Sequence, residues 1–193
     1  MKVTREQFLE NRRRILEAAG RLFRERGFSA VTVSEVMEAA GLTHGGFYGH
    51  FASKEDLAAQ ACAHSLTPGA APVPRTASLA RFVDAYLSPA HRDHPGAGCA
   101  LAALGGEIGR QPEAVRRAFT EGLEARVARL AETAAQAAGS APGGGRPEAL
   151  ATLSGLVGAL VLARAVDDPA LSDEILGAAR AAFGGRPEAD APA

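Results

Sequence analysis

The chain carries only two cysteines, Cys62 and Cys99, in 193 residues. Two thiols cannot staple a disulfide framework, so the composition points to a reducing interior rather than a secreted scaffold. Net charge is also missing: the formal value is −1, which excludes a global basic footprint for nucleic acid. Long hydrophobic runs are absent. The longest relevant uncharged stretch, 149–163, is 15 residues, short for a membrane span and suited to a buried helix. Residues 2–14 are polar and hold no apolar signal-peptide core. These features read as a soluble, cytoplasmic protein. Catalytic signatures are missing too: no nucleophile elbow, no glycine-rich phosphate loop followed by lysine, no evident pair of carboxylates, no HExxH. An enzyme is not expected, and no cofactor is implied.

What is present is helical. Apolar residues make up 47% of the chain, enough for a sizeable core, and only two short runs have a β-like composition. Ala, Leu, Glu and Arg dominate, which predicts an all-α fold. Thr4 and Gln7 form a capping-box pattern, behind which Ile15, Ala18, Ala19, Leu22 and Phe23 fall on one helical face until Gly27. Thr32 and Glu35 repeat the pattern before a short stripe of Val33, Val36, Met37 and Ala40. Gly41 then ends that helix. Thr43 opens a third short helix with Phe47 and Phe51 four apart, and Ser53 caps a fourth over 54–65. Further helices are predicted at 77–87, 99–110, 113–138, 148–166 and 172–183. The intervening loops are 66–76, 88–98 and 139–147.

Charge is uneven along this plan. The first 26 residues hold eight basic and four acidic side chains, or +4. A basic leading helix on a near-neutral body would approach an anionic polymer with one face; a solvated Arg/Glu face is the plainer alternative. The turn 39–43, Ala-Ala-Gly-Leu-Thr, joins two short helices at an angle, with Gly41 free to take positive φ. That is the geometry of a helix-turn-helix, whose second helix enters a DNA major groove.

The stretch 43–57, THGGFYGHFASKEDL, closely resembles the recognition-helix signature of the tetracycline-repressor (TetR) family. Phe28, Thr32-Val33, Val36, Ala40-Gly41-Leu42 and the leading Ile15 to Phe23 pattern fit it as well, so that the resemblance runs from about 12 to 61. A second stretch, 86–104, resembles a ligand-domain segment of one subgroup. The resemblance implies an N-terminal helix-turn-helix domain over 1–53, a helical ligand-binding and dimerisation domain over 54–183, and a disordered tail over 184–193. It implies DNA contacts from Thr43, His44, Gly45, Tyr48, His50 and Lys54, with Thr32 and Ser34 binding phosphate at the start of the second helix. Gly46 and Gly49 depart from the pattern and, with Gly45, put three glycines in five residues, each weakening the recognition helix by about 1 kcal/mol against Ala. That helix is expected to order fully only on DNA.

The same resemblance places a small-molecule pocket and a two-fold interface in the C-terminal helices. Pocket candidates are Phe82, Tyr86, Leu101, Leu104, Ile108, Phe119 and Leu123, with Glu107 and Arg110 as polar anchors. Gly105, Gly106 and Gly109 soften the helix between pocket and DNA-binding domain. The helix over 148–166 is apolar nearly all round, so it needs cover on more than one side. Leu153, Leu156, Val157, Leu160 and Val161, with Ile175, Leu176, Ala179 and Phe183, are the expected dimer interface. The partners are then an operator duplex, a second copy of the chain and a small-molecule inducer. The alternative is a ligand-independent or redox-sensing DNA binder with Cys99 at a helix start as the sensor. His91, Asp93, His94 and Cys99 are ligand types without a recognised zinc spacing, so no metal site is expected.

Overall fold

The computed structural model describes residues 4–67, 78–137 and 145–184. Among them all regular structure is helical and no strand occurs, as the composition predicts. Most of the predicted loops 66–76 and 139–147, and the tail beyond Gly184, lie outside the described residues. The helices are α1 (Arg5–Ala30), α2 (Val33–Ala39), α3 (Lys54–Leu66), α4 (Leu79–Tyr86), α5 (Pro89–Asp93), α6 (Ala100–Ile108), α7 (Glu113–Ala137), α8 (Arg146–Ala165) and α9 (Pro169–Phe183). Two 3₁₀ segments, His44–Gly49 and Pro95–Ala97, stand between them.

The chain divides into two compact units. One takes in Met1–Ala71 and Pro95–Leu123, the other Pro72–His94 and Glu124–Ala193. Packing thus groups α6 and the start of α7 with the helix-turn-helix, well beyond residues 1–53.

In the first unit α1 is the central rod. Thr4 caps it by accepting from the Gln7 amide at 3.1 Å. The Gln7 side chain turns to Asn11 instead of closing the box. Ile15, Ala19 and Phe23 are buried on the inner face. The helix breaks at Gly27, whose φ of 79° and ψ of 167° lie in a region that side-chain-bearing residues avoid. The freed amide of Phe28 donates to Glu107 Oε2 of α6 at 3.1 Å. Arg24 fastens the same end of α1: Nε donates to the Gly96 carbonyl at 3.0 Å and Nη1 to Ser65 Oγ at 2.8 Å.

The predicted basic face of α1 is mostly consumed within the protein. Arg13 pairs with Glu10 at 2.6 Å and Glu17 at 2.5 Å, Arg21 with Glu25 at 3.2 Å, and Arg26 with Glu35 at 2.7 Å. The plainer alternative, a solvated Arg/Glu face, therefore describes much of this helix.

In the second unit α8 and α9 pack against each other, and Leu153, Leu156, Leu160, Leu176 and Ala179 are buried. Each fully buried leucine contributes about 1.5–3 kcal/mol. α8 has the length and apolarity to cross a membrane, but this leucine face is covered by its own unit. The expected loop 88–98 holds α5, because Ser88 accepts from the His91 amide at 3.2 Å and Pro89 occupies the first turn. Three arginines clamp this segment. Arg164 donates to the carbonyls of His91 at 2.6 Å and Arg92 at 2.9 Å. Arg92 reaches Ser172 at 2.9 Å and Asp173 at 2.6 Å, and Arg180 reaches the Leu87 carbonyl at 3.0 Å. α9 starts at Pro169 rather than at 172, since Asp168 caps it by accepting from the Ala170 amide at 2.8 Å. Ser172 is instead buried, donating to the Ala163 carbonyl at 2.7 Å.

Candidate nucleic-acid interface

The interface is built on a short helix with both ends locked. Thr32 Oγ accepts from the Glu35 amide at 3.3 Å, and the Glu35 carboxylate accepts from the Thr32 amide at 2.8 Å, closing the box. The Thr32 amide and then Arg26 hold the Glu35 carboxyl well below its ordinary range, at about 2. At the other end Gly41 takes φ 67°. The Leu42 amide then reaches the Met37 carbonyl and the Gly41 amide the Glu38 carbonyl, both at 2.8 Å. This is a Schellman closure, which needs a left-handed residue where Gly41 stands.

The segment that follows is six residues of 3₁₀ helix, His44–Gly49, rather than an α-helix. Its bonds are of the tight kind, Gly46 amide to Thr43 carbonyl at 3.1 Å and His50 amide to Phe47 carbonyl at 2.9 Å. Three glycines in five residues leave little to favour the α form. Thr43 stands at the N-cap, but its side chain makes no capping bond. What holds the segment is apolar. Phe47 is fully buried, with Phe51 at a ring distance of 5.8 Å and buried Val36 and Met37 in the same core. Arg12, a residue sequence reading did not single out, closes the underside. Its guanidinium lies 4.5 Å from the Phe51 ring centre and donates to the His50 carbonyl and to Gln60.

On this base the predicted contact residues fall into two groups. Thr32, Ser34, Thr43, His44, Gly45 and Tyr48 are exposed, Tyr48 by 73%. Lys54 is half-exposed at the first position of α3, beyond the Ser53 cap. The Thr32 hydroxyl is occupied by Glu35 at 2.8 Å. Ser34 Oγ sits 3.2 Å from His44 Nδ1. His50 differs from expectation. Its ring stacks on Phe8 at 4.3 Å and is half-buried, and burial, then the Arg12 charge, pushes its pKa down. A ring packed on an aromatic, with its charged form disfavoured by burial, is a poor phosphate ligand, so His50 belongs more to the base than to the face.

An added Cβ would meet nothing within 4 Å at Gly45 or Gly49, and neither has positive φ. Gly49→Ala is therefore expected to raise stability by about 0.5–1 kcal/mol, since alanine removes the backbone entropy cost without a clash. A thermal melt that falls instead of rising would refute this.

The other predicted sites fare unevenly. Phe82 and Tyr86 belong to the second unit, whereas Leu101, Leu104, Ile108, Phe119 and Leu123 belong to the first, so no single unit gathers the seven. A cleft of about 190 Å³ in the first unit, lined by Phe28, Ser29, Lys54, Glu55, Ala58, Gln111, Pro112 and Val115, contains none of them. Glu107 is committed to the Phe28 amide, and Arg110 to the Gly106 carbonyl at 3.2 Å. Five of the nine expected dimer residues (Leu153, Leu156, Leu160, Leu176 and Ala179) are buried within the protomer. Val157, Ile175 and Phe183 are half-exposed, and Val161 is exposed together with Leu150 and Leu162. Phe183 packs over Gly155, while Gly158 faces open space.

Cys99 does stand at the start of α6, but its side chain is buried. Cys62 is buried too, and burial pushes its thiol up to about 11. His91 Nδ1 lies 2.6 Å from the Tyr86 carbonyl and His94 Nδ1 2.9 Å from that of Ala90. No group of three or more metal-ligand side chains occurs among the described residues.

A capped helix, a glycine turn and an exposed polar segment on an aromatic base make up a helix-turn-helix. Residues 15–61 match the family described as bacterial regulatory proteins, tetR family, and residues 75–179 match the tetracyclin repressor-like C-terminal domain. The chain belongs to this TetR family of DNA-binding transcription regulators. Among curated relatives, the regulator AcrR of Shigella flexneri is 43% identical over 54 residues, 28% of this chain and 25% of that protein. The uncharacterised regulator YerO of Bacillus subtilis is 43% identical over 53 residues, 28% of this chain and 18% of that one. The chain thus matches no more than a quarter of these relatives' length. Among solved structures, a TetR-family regulator from Agrobacterium tumefaciens has a TM-score of 0.70 at 20% identity, covering 91% of this chain and 98% of its own. Reduced NemR of E. coli has a TM-score of 0.68 at 21% identity, covering 90% and 94%. At these identities the likeness concerns the fold.

Proposed function

We propose that the protein is a cytoplasmic homodimeric repressor that binds a near-palindromic operator and is released by a small molecule. Residues 1–53 act as the reading head, and 54–183 as the sensing and pairing part. The observation that carries this reading is the exposed face of Ser34, Thr43, His44, Gly45 and Tyr48, mounted on buried Phe47 and Phe51. A polar, small-residue surface on a rigid apolar base is what groove insertion requires. Thr43, Tyr48 and Lys54 supply phosphate contacts, and His44 and Gly45 approach base edges.

The exposed side of α8, with Leu150, Gly158, Val161 and Leu162, supports pairing with a second copy. A two-fold dimer would set two reading heads about 34–36 Å apart, or a multiple. The ligand would act by binding the non-operator spacing more tightly than the operator spacing.

The test is fluorescence anisotropy with the DNA flanking the protein's own gene, against a scrambled duplex, over a salt series. Specific binding about 10³-fold or more above scrambled, with affinity falling steeply as salt rises, is the expected result. Equal affinity for both duplexes, and for duplexes selected from a random pool, would overturn it.

A further inference from the structure

Ser34 and His44 come from two different elements, and both are fixed by backbone geometry. Ser34 sits one residue inside the capped start of α2, behind Thr32 and Val33. His44 is the first residue of the 3₁₀ segment, two residues beyond the Schellman closure at Leu42. Ser34 Oγ lies 3.2 Å from His44 Nδ1. Both side chains are exposed, and the ring tautomer sets which of them donates: Nδ1 accepts the Ser34 hydrogen when the ring proton is on Nε2. A neutral imidazole whose Nδ1 accepts carries its proton on Nε2. His44 Nε2 makes no hydrogen bond among the described residues, and the side chain is exposed.

Building on the DNA-binding reading above, we propose that Ser34 is a positioning residue that locks His44 in the Nε2–H form. His44 then presents one fixed donor, which reads the N7 acceptor of a purine in each operator half-site. The major groove offers such acceptors on adenine and guanine. Gly45 and Gly46, with no side chains beside the imidazole, let the short ring reach the groove floor instead of stopping at the phosphates. Phosphate oxygens accept the same donor, so the experiment separates the two.

The first arm needs no DNA. Nitrogen-15 correlation spectra of the free protein, at a pH of about 8 and so above the ordinary histidine range, report the His44 tautomer. The Nε2–H pattern is expected in the parent and in Ser34→Thr, and a mixture of tautomers in Ser34→Ala. An Nδ1–H pattern in the parent overturns the proposal.

The second arm uses a duplex selected from a random pool, with each purine replaced in turn by its 7-deaza analogue. One replacement per half-site should weaken parent binding about three- to tenfold, the worth of one hydrogen bond. That penalty should vanish in His44→Ala, shrink in Ser34→Ala and return in Ser34→Thr. Equal penalties in parent and His44→Ala at every purine overturn the base assignment. So does a His44-dependent penalty that follows methylphosphonate substitution at one phosphate. A pool that enriches no duplex overturns the DNA-binding reading and the base assignment with it, while the ring spectrum still decides the Ser34–His44 part.

Discussion

Gly27→Ala is expected to cost the first unit about 2–5 kcal/mol. Two effects combine at this position. The first is backbone: φ 79° with ψ 167° is a region held almost only by glycine, and a side chain there costs about 1–3 kcal/mol. The second is the neighbour. A Cβ at Gly27 would collide with the Glu107 carboxylate, with Oε2 at 3.0 Å among the atoms it would meet. That carboxylate accepts from the Phe28 amide, and displacing it leaves a part-buried donor unmade, at about 1–3 kcal/mol. The two parts are separable by a double-mutant cycle with Glu107→Ala. Urea denaturation should show that the double variant loses less than the sum of the singles, because the collision is gone. A Gly27→Ala variant within about 0.5 kcal/mol of the parent would sink the argument, since that is the range of a bland surface change.

This break shows what the sequence conceals. Gly27 reads correctly as the end of the leading helix, because glycine at that place in the pattern is a local signal. Its partner Glu107 is 80 positions further on, on the face of α6 that the pattern leaves polar, and no local rule pairs the two. Arg12 and Arg24 escaped for the same reason: a guanidinium that donates to a distant carbonyl looks like any solvated charge in one dimension. Caps were legible where both halves were written locally, as in Thr32 and Glu35. The starts of α5 and α9 were also written locally, in Ser88-Pro89 and Asp168-Pro169, and an N-cap followed by proline was the signal to use.

The limits were different at the sites. The predicted contact residues stand together in one motif, and six of them, Thr32, Ser34, Thr43, His44, Gly45 and Tyr48, are exposed. The 3₁₀ form of 44–49 was not legible, because six residues with three glycines leave α and 3₁₀ turns close in energy. On α8 the apolar character was plain, but a helix apolar on most sides does not say which stripe its own chain covers. Leu153, Leu156 and Leu160 lie at spacings of three and four and are buried within the unit. Val161 and Leu162 share the exposed remainder. Pocket residues are the least legible, because a pocket depends on angles between helices and not on the pattern of any one.

On the DNA-binding reading proposed above, Phe47→Ala is expected to weaken operator binding by about 10²-fold or more, with only a small loss of overall helix content. The side chain is fully buried, and truncating a buried phenylalanine costs about 3–5 kcal/mol. Its place makes the loss local. Of the six residues His44–Gly49, three are glycines and Tyr48 is 73% exposed, so Phe47 is the only side chain of the segment that reaches the core. Without it the Phe51 stacking at 5.8 Å and the edge contact of Tyr48 at 5.2 Å are lost together. The 3₁₀ turns then have no anchor, while α1 and α3 keep their own contacts through Ile15, Leu57 and Ala61. Amide exchange should show loss of protection over 44–50 at temperatures where circular dichroism is nearly unchanged. Specific DNA binding should fall by about 10²-fold or more, the effect of some 3 kcal/mol on a segment that must be ordered to bind. Tyr48→Ala is the control that separates anchoring from contact. It should weaken DNA binding yet leave the melting curve within about 0.5 kcal/mol of the parent, because little of the ring is buried. If Phe47→Ala kept parent-like exchange over 44–50, backbone geometry alone would be holding the segment, and the anchoring role assigned to Phe47 would be wrong.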